Sequence, residues 1–134
     1  MTTLPRRRPL LATGAALAVV ALGTACNRNA PILSETGADF IGRASLAQRS
    51  DQIRVAGARL GWIMESQRPG LIRGTLNLRS HQAVVDIPYD TQRFSIRYVS
   101  SSNLDYDGGA IHRNYNSWVR NLQNAIMAQP AVGA

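Results

Sequence analysis

Three stretches between Ile72 and Val99 alternate apolar and polar residues, and the breaks between them are too short for anything but chain reversal. In the first, Ile72, Gly74, Leu76 and Leu78 alternate with Arg73, Thr75, Asn77 and Arg79. In the second, His81, Ala83, Val85, Ile87 and Tyr89 fall on one side; in the third, Phe94, Ile96 and Tyr98 oppose Ser95, Arg97 and Val99. Side chains of a strand point to opposite faces in turn, so each stretch predicts a strand with one buried and one wet face. A tight turn near Ser80 and the segment Tyr89-Asp90-Thr91-Gln92 join them. Connections this short require antiparallel neighbours. Pro88 suits a strand end or an edge.

Helical periods flank this meander. Ser45 with Gln48 three residues later fits a capping box. Leu46, Ile53, Gly57, Leu60 and Met64 then recur on one side with Ala56 beside them, and Arg49, Arg54 and Arg59 are expected to face water. Gly57 and Gly61 each cost about 1 kcal/mol of helix propensity relative to Ala. The expected compensation is close approach to the sheet, with Gly61 ending the helix before Trp62. Arg68-Pro69-Gly70 is a turn that opens the sheet. After Leu104, Asp107-Gly108-Gly109 forces another turn. Tyr115, Trp118, Val119, Leu122, Ala125 and Ile126 then form the cleanest amphipathic stripe, with Asn116, Ser117, Arg120, Asn121, Gln123 and Asn124 on its polar side. Pro130 stops the helix. At 134 residues and 45% hydrophobic content the chain has room for one globular domain. The expected fold class is α+β, a two-layer helix, three-stranded antiparallel β-meander, helix arrangement over residues 45–128, with 129–134 a flexible tail.

The N-terminus has a different layout. Residues 1–25 run from Arg6, Arg7 and Arg8 through an apolar stretch, Leu10 to Leu22, to the small residues Gly23, Thr24 and Ala25. This is the plan of a secretory signal peptide, whose apolar run needs only about 7–15 residues; a spanning helix needs about 20. Cys26 follows at once and is the single cysteine, so no internal disulfide can form. Leu22-Gly23-Thr24-Ala25-Cys26 resembles a bacterial lipoprotein lipobox, which implies that Cys26 becomes the acylated first residue, against simple cleavage or an uncleaved anchor. It departs from the usual pattern at Gly23, where Leu is the norm; Leu22 stands one step back. Acyl chains contribute about 0.8 kcal/mol per buried methylene, and two or three of them, such as palmitate, hold a protein on a bilayer. Residues 26–44 read as the acylated Cys and a tether, because Pro31, Gly37 and Gly42 interrupt them and no apolar period persists. The implied address is the cell envelope, membrane-anchored and facing the periplasm, the outer membrane favoured over the inner in a two-membrane cell. Arg7-Arg8-Pro9-Leu10-Leu11 has faint twin-arginine character, and the export route stays open between that and general secretion.

Charge points the same way. All 15 basic residues are Arg, the pattern of a GC-rich coding bias, and the formal net charge is +7. Loss of Arg6, Arg7 and Arg8 with the leader lowers it to +4. An exported domain of such modest charge is not expected to bind nucleic acid.

Few residues offer chemistry. His81 and His112 are the only histidines, and no His/Cys/Asp/Glu cluster has metal-ligand spacing, so no metal or cofactor is expected. Asp105 or Asp107 with His112 and a serine from Ser100 to Ser102 would make a small envelope hydrolase, the alternative reading. No nucleophile-elbow sequence accompanies them. The simpler roles are that His112 caps or orients the last helix and His81 sits on the sheet's inner side or rim. Ser102-Asn103-Leu104 either holds a turn or, with Tyr106, His112 and Tyr115, lines a binding cleft where the strand end meets the final helix. Tyr89, Tyr98, Trp62 and Trp118 would supply its walls. Arg73, Arg79 and Arg97 are expected on the sheet's outer face with Asp86, as a contact for an anionic group. The favoured function is a non-catalytic module that binds an envelope protein or a small ligand, held to the membrane by N-terminal acyl chains.

Ile87-Pro88-Tyr89, Phe94-Ser95-Ile96-Arg97-Tyr98, Ser102-Asn103-Leu104-Asp105-Tyr106 and Ile111-His112-Arg113-Asn114-Tyr115-Asn116-Ser117-Trp118 together resemble a family of small bacterial lipoproteins. The resemblance extends more loosely from Gly61-Trp62 to Leu122. It implies the fold and the envelope address. No settled activity is attached to that family, and no catalytic role is transferred from it.

Overall fold

A computed structural model describes Thr3 and residues 28–131. Apart from Thr3, the leader expected over residues 1–25, together with Cys26 and the last three residues, lies outside the described residues. Helix α1, Leu46–Arg59, starts where the capping box places it. The Ser45 hydroxyl accepts from the Gln48 amide at 3.1 Å, and the Gln48 side chain accepts from the Ser45 amide at 2.8 Å. Gly61 ends the helical turn in the left-handed region, φ +87°, where a Cβ would be strained. The chain then reverses straight into a strand.

That strand, β3 (Trp62–Arg68), was not expected. Leu60 and Met64 lie four apart and extend the helical stripe of Ile53 and Gly57, so the spacing hides the strand even with Gly61 ending the helix. In the fold the period switches at Gly61: Trp62 is buried and Met64 half-buried, while Ile63 is 54% exposed. β3 forms a hairpin with β4 (Leu71–Leu78) across the Arg68-Pro69-Gly70 turn, and β5 (His81–Pro88) and β6 (Arg93–Ser102) continue the meander. The three expected strands are therefore the middle of a wider antiparallel sheet. Its fifth strand, β2 (Glu35–Asp39), pairs with β6, giving the order β2-β6-β5-β4-β3. A separate pair joins β1 (Asn29–Pro31) to β7 (Ala110–His112), from which α2 (Arg113–Ala128) departs. The α+β class, with a meander between two helices, is the one the sequence predicted.

The stretch expected to be a tether is instead part of the domain. β1 and β2 both lie within it, and Ile32, Leu33 and Ala38 pack against the core. Glu35-Thr36-Gly37-Ala38-Asp39 has no hydrophobic period because its strand is held by backbone pairing to β6, for which any side chains serve.

One face of the sheet and one face of each helix close a single core. Ile72, Leu76, Val85, Ile87, Phe94 and Ile96 meet Ile53, Ala56, Val119, Leu122 and Ile126, all buried. Burying each such side chain contributes roughly 1.5–3 kcal/mol. Gly57 lets α1 lie close on β3, since a Cβ there would overlap the Met64 side chain. A bulge opposite Val84 and Val85 pushes Val99 out of register and turns it outward, 39% exposed. Leu78, expected inside, is 45% exposed at the end of β4.

Two polar residues depart from their helical pattern. Arg49, expected in water, is fully buried. Its Nε donates to Thr91 O (3.0 Å), Nη1 to Gln52 Oε1 (2.9 Å) and Ile41 O (3.3 Å), and Nη2 to Gly42 O (2.6 Å), while the guanidinium lies 4.4 Å from the Phe40 ring centre. Burial lowers its pKa from the ordinary arginine value. Carbonyl dipoles and an aromatic face replace the water it has lost. Gln52, also buried, passes the link on to α2 by donating to Ile126 O at 2.8 Å. Asn116, expected on the wet side of α2, is buried too. It accepts from Leu33 N at 2.8 Å and donates to Pro31 O at 2.9 Å. Replacing Arg49 by Leu strips these carbonyls of a charged donor and is expected to cost roughly 3 kcal/mol. Arg49→Lys, which keeps the charge and loses the fork, is expected to cost about 2 kcal/mol. Urea unfolding checks both through a lower midpoint at unchanged slope.

Candidate functional site

At the β4–β5 turn the sheet, the β1–β7 pair and the start of α2 come together, and both histidines lie there. His81 opens β5 and His112 closes β7, with their ring centres 6.3 Å apart. The Trp118 ring, one and a half turns into α2, lies 6.4 Å from His81. Each imidazole has one nitrogen fixed by the backbone. His81 Nδ1 donates to Asn103 O at 2.7 Å, since a carbonyl can only accept. His112 Nδ1 accepts from Asn114 N at 3.2 Å as the N-cap of α2, so that nitrogen bears no proton. Neither Nε2 has a partner among the described residues. His112 therefore presents an Nε2 donor, and neutral His81 an Nε2 acceptor.

Asn103 shapes this corner from below. It sits at φ 58°, a left-handed position that Asn tolerates better than most residues. Its Nδ2 donates to Ser80 O at 2.7 Å, tying the β4–β5 turn to the end of β6. His112 N donates to Leu104 O at 2.7 Å and closes the same corner. Thus Asn103 and His112 lie at one corner, and both do turn-holding and capping work there.

Tyr106 and Tyr115 do not join them in one open cleft. Tyr106, 43% exposed, stacks on Tyr98 at 4.4 Å, and Tyr115 meets Tyr98 edge-on at 5.5 Å from inside the core. Tyr115 is fully buried and its hydroxyl has no hydrogen-bond partner among the described residues, which corrects its placement as a binding residue. Burial, and then the neighbouring Tyr98 and Tyr106, push its pKa well up, so it stays neutral. Helical spacing put Tyr115 on the inward stripe, and the fold leaves it there.

Three members of the hydrolase constellation are engaged elsewhere. Asp107 Oδ1 accepts from Ala110 N (2.8 Å) and Gly109 N (3.0 Å), bonds that hold its carboxyl below the usual 3.8. Ser101 Oγ is bonded to the Tyr98 hydroxyl at 2.9 Å. The His112 nitrogen that a carboxylate would have to orient is taken by the Asn114 amide. Among the described residues no three His, Cys, Asp or Glu side chains cluster for a metal, and no helix is long and apolar enough to cross a membrane.

The expected anion contact is also redistributed. Register places Glu35, Arg97, Asp86, Arg73 and Glu65 side by side across all five strands of the sheet's outer face, alternating in sign. Arg73 grips Asp86 through Nε (2.9 Å) and Nη2 (3.1 Å), and Arg97 Nε reaches Glu35 at 3.1 Å. The hydrogen bond and charge of Asp86 raise the Arg73 pKa. Two of the three arginines are thus matched by carboxylates, and Arg79 stands at the far end, on the β4–β5 turn with φ 55°. Arg28 and Arg113, which the sequence pattern leaves unconnected because 84 residues separate them, lie at the same end of the molecule, where Asn103 ties Ser80 to the corner of His81 and His112. Only the β1–β7 pairing brings them together, through Arg113 N donating to Arg28 O at 2.8 Å.

Two expectations follow. Tyr115→Phe removes a buried hydroxyl that lacks a partner and is expected to raise stability by up to about 1 kcal/mol, read as a higher urea midpoint. Asp90, whose Oδ1 accepts from Gln92 N and Arg93 N, is depressed like Asp107. Carboxyls with lowered folded values contribute stability above their unfolded value and lose it as pH falls through the folded one. The decline in stability below pH 3.8 is therefore expected to be shallower in Asp107→Asn than in the wild type, measured by unfolding across an acid series.

Comparison with protein-family models, with curated proteins and with solved structures finds no match to this chain.

Proposed function

We propose that the chain is a lipid-anchored protein of the bacterial cell envelope, of the kind its leader and core motifs resemble, and that its domain is a non-catalytic binding module. Cys26 is its lipidation site, and the leader preceding it is the sequence support for this. The observation that carries the binding reading is the paired imidazole edge. His81 and His112 each keep one nitrogen uncommitted beside Trp118, while the backbone bonds of Asn103 and Asn114 hold both rings in place. A preformed donor and acceptor next to an indole suit a small polar ligand, or the polar end of a partner's side chain. The geometry gives the hydrolase alternative less support, since Asp107 is held in a turn, Ser101 by the Tyr98 hydroxyl and one nitrogen of His112 by the α2 cap.

The native chain, expressed with its leader, is expected to fractionate with membranes and to yield an N-terminal peptide beginning at acylated Cys26. Cys26→Ser is expected to lose the acyl mass. A wild-type protein with an unmodified cysteine refutes the anchor. Titration of wild type and His112→Ala against fractionated envelope extracts tests the module: the variant is expected to lose the retained component, and equal retention by both folded proteins refutes the recognition surface.

A further inference from the structure

The anchor reading has a geometric consequence, because the folded domain begins almost at the cysteine. Arg28 is already bonded to Arg113, and Asn29 pairs with His112, so only Asn27 lies between Cys26 and the fold. Two residues of extended chain span at most about 7 Å. An acylated Cys26 would therefore hold the β1–β7 end of the domain at headgroup depth with almost no leash.

What that end displays is basic. Arg28, Arg79 and Arg113 are exposed there and make no ion pair among the described residues. Contacts already described link them into one end. Arg113 N bonds Arg28 O, Asn29 pairs with His112, His112 stacks near His81, and Asn103 ties His81 to Ser80 beside Arg79. Asp105 is the carboxylate nearest in sequence to this corner. Glu35 and Asp86 are paired with Arg97 and Arg73 on the outer sheet face, and Glu65 lies in register beside Arg73 there. Leu78, 45% exposed beside Arg79, adds an apolar side chain able to enter the acyl boundary.

We propose that this end, with Arg28, Arg79 and Arg113 foremost, is seated on anionic phospholipid headgroups, a seating that rests on the lipid-anchored reading. Each arginine near an anionic surface contributes roughly fivefold to partitioning, so the three together favour the seated orientation on the order of a hundredfold. The recognition corner formed by His81 and His112 then lies at the membrane surface. Its ligand is reached from the interfacial layer.

The test labels guanidinium groups with phenylglyoxal on the native acylated protein, reconstituted in vesicles of phosphatidylcholine alone or of phosphatidylcholine with one third phosphatidylglycerol. Peptide mass spectrometry reads each arginine. Labelling of Arg28, Arg79 and Arg113 is expected to slow at least fivefold on the anionic vesicles. Arg68, exposed at the opposite end of the β3–β4 hairpin, is expected to keep its rate. Equal rates for the three in both lipids, or equal slowing of Arg68, overturn the seating while leaving the anchor intact. Protection seen in native envelope membranes and lost in anionic vesicles overturns it too, and assigns the face to an acidic protein partner. An unmodified Cys26 overturns the anchor and the seating together.

Discussion

The carboxamide of Asn116 decides where the chain enters the domain. Its oxygen takes the Leu33 amide and its nitrogen reaches the Pro31 carbonyl, so the segment after β1 is fastened to the first turn of α2. A buried carboxamide that left either bond unmade would cost on the order of 1–3 kcal/mol, which makes this docking hard to release. From it follow the three-residue pairing of β1 with β7, the run of β2 along β6, and the meeting of Arg28 with Arg113. A stretch with tether-like composition becomes part of the folded domain.

Arg49 performs a comparable task at the other side of the core. Carbonyls of Ile41, Gly42 and Thr91 converge on one guanidinium, which fixes the loop between β2 and α1 against the turn between β5 and β6. Gln52 then couples the same cluster to the last turn of α2. Because its partners are dipoles rather than a carboxylate, the charge survives burial without using one of the chain's few acids. Those acids lie on the sheet's open face, in the alternating row from Glu35 to Glu65, where exposed pairs contribute little stability each but leave no field of one sign. Much of the positive excess is left to loops and element ends, and the β1–β7 end has three of its arginines.

The candidate site shows how one set of residues satisfies two readings. His112 is the α2 cap, as its position before Asn114 suggested, and Asn103 holds a left-handed turn, as Asn commonly does. Both roles fix backbone atoms and leave the outer edges of two imidazoles available. His81 and Trp118 belong with them, although 30 residues separate His81 from His112 along the chain and no motif links them. Tyr115 was legible as core from its helical spacing with Val119, Leu122 and Ile126, and it is core. Its closeness to His112 in sequence is no guide to the surface, because His112 is the N-cap, outside the helical turn, whereas Tyr115 already lies on the inward stripe.

The sequence by itself determined the elements whose signals are local. The capping box at Ser45, the left-handed stop at Gly61, the alternation from Ile72 to Tyr98, the Asx turn at Asp107 and the stripe from Tyr115 to Ile126 each depend on neighbours within a few residues, so the order of residues along the chain is enough to reveal them. Only the tertiary structure decided the rest. β2 has no hydrophobic period to show, β3 shares the spacing of Leu60 and Met64 with the preceding helix, and Arg49 and Asn116 look like wet positions until distant carbonyls and amides arrive to bond them. Pairing energy and buried hydrogen bonds come from partners tens of residues away, and no local pattern encodes a partner. For the same reason the chain order could show Arg28, Arg79 and Arg113 only as scattered charges, whereas folding makes them one end of a molecule.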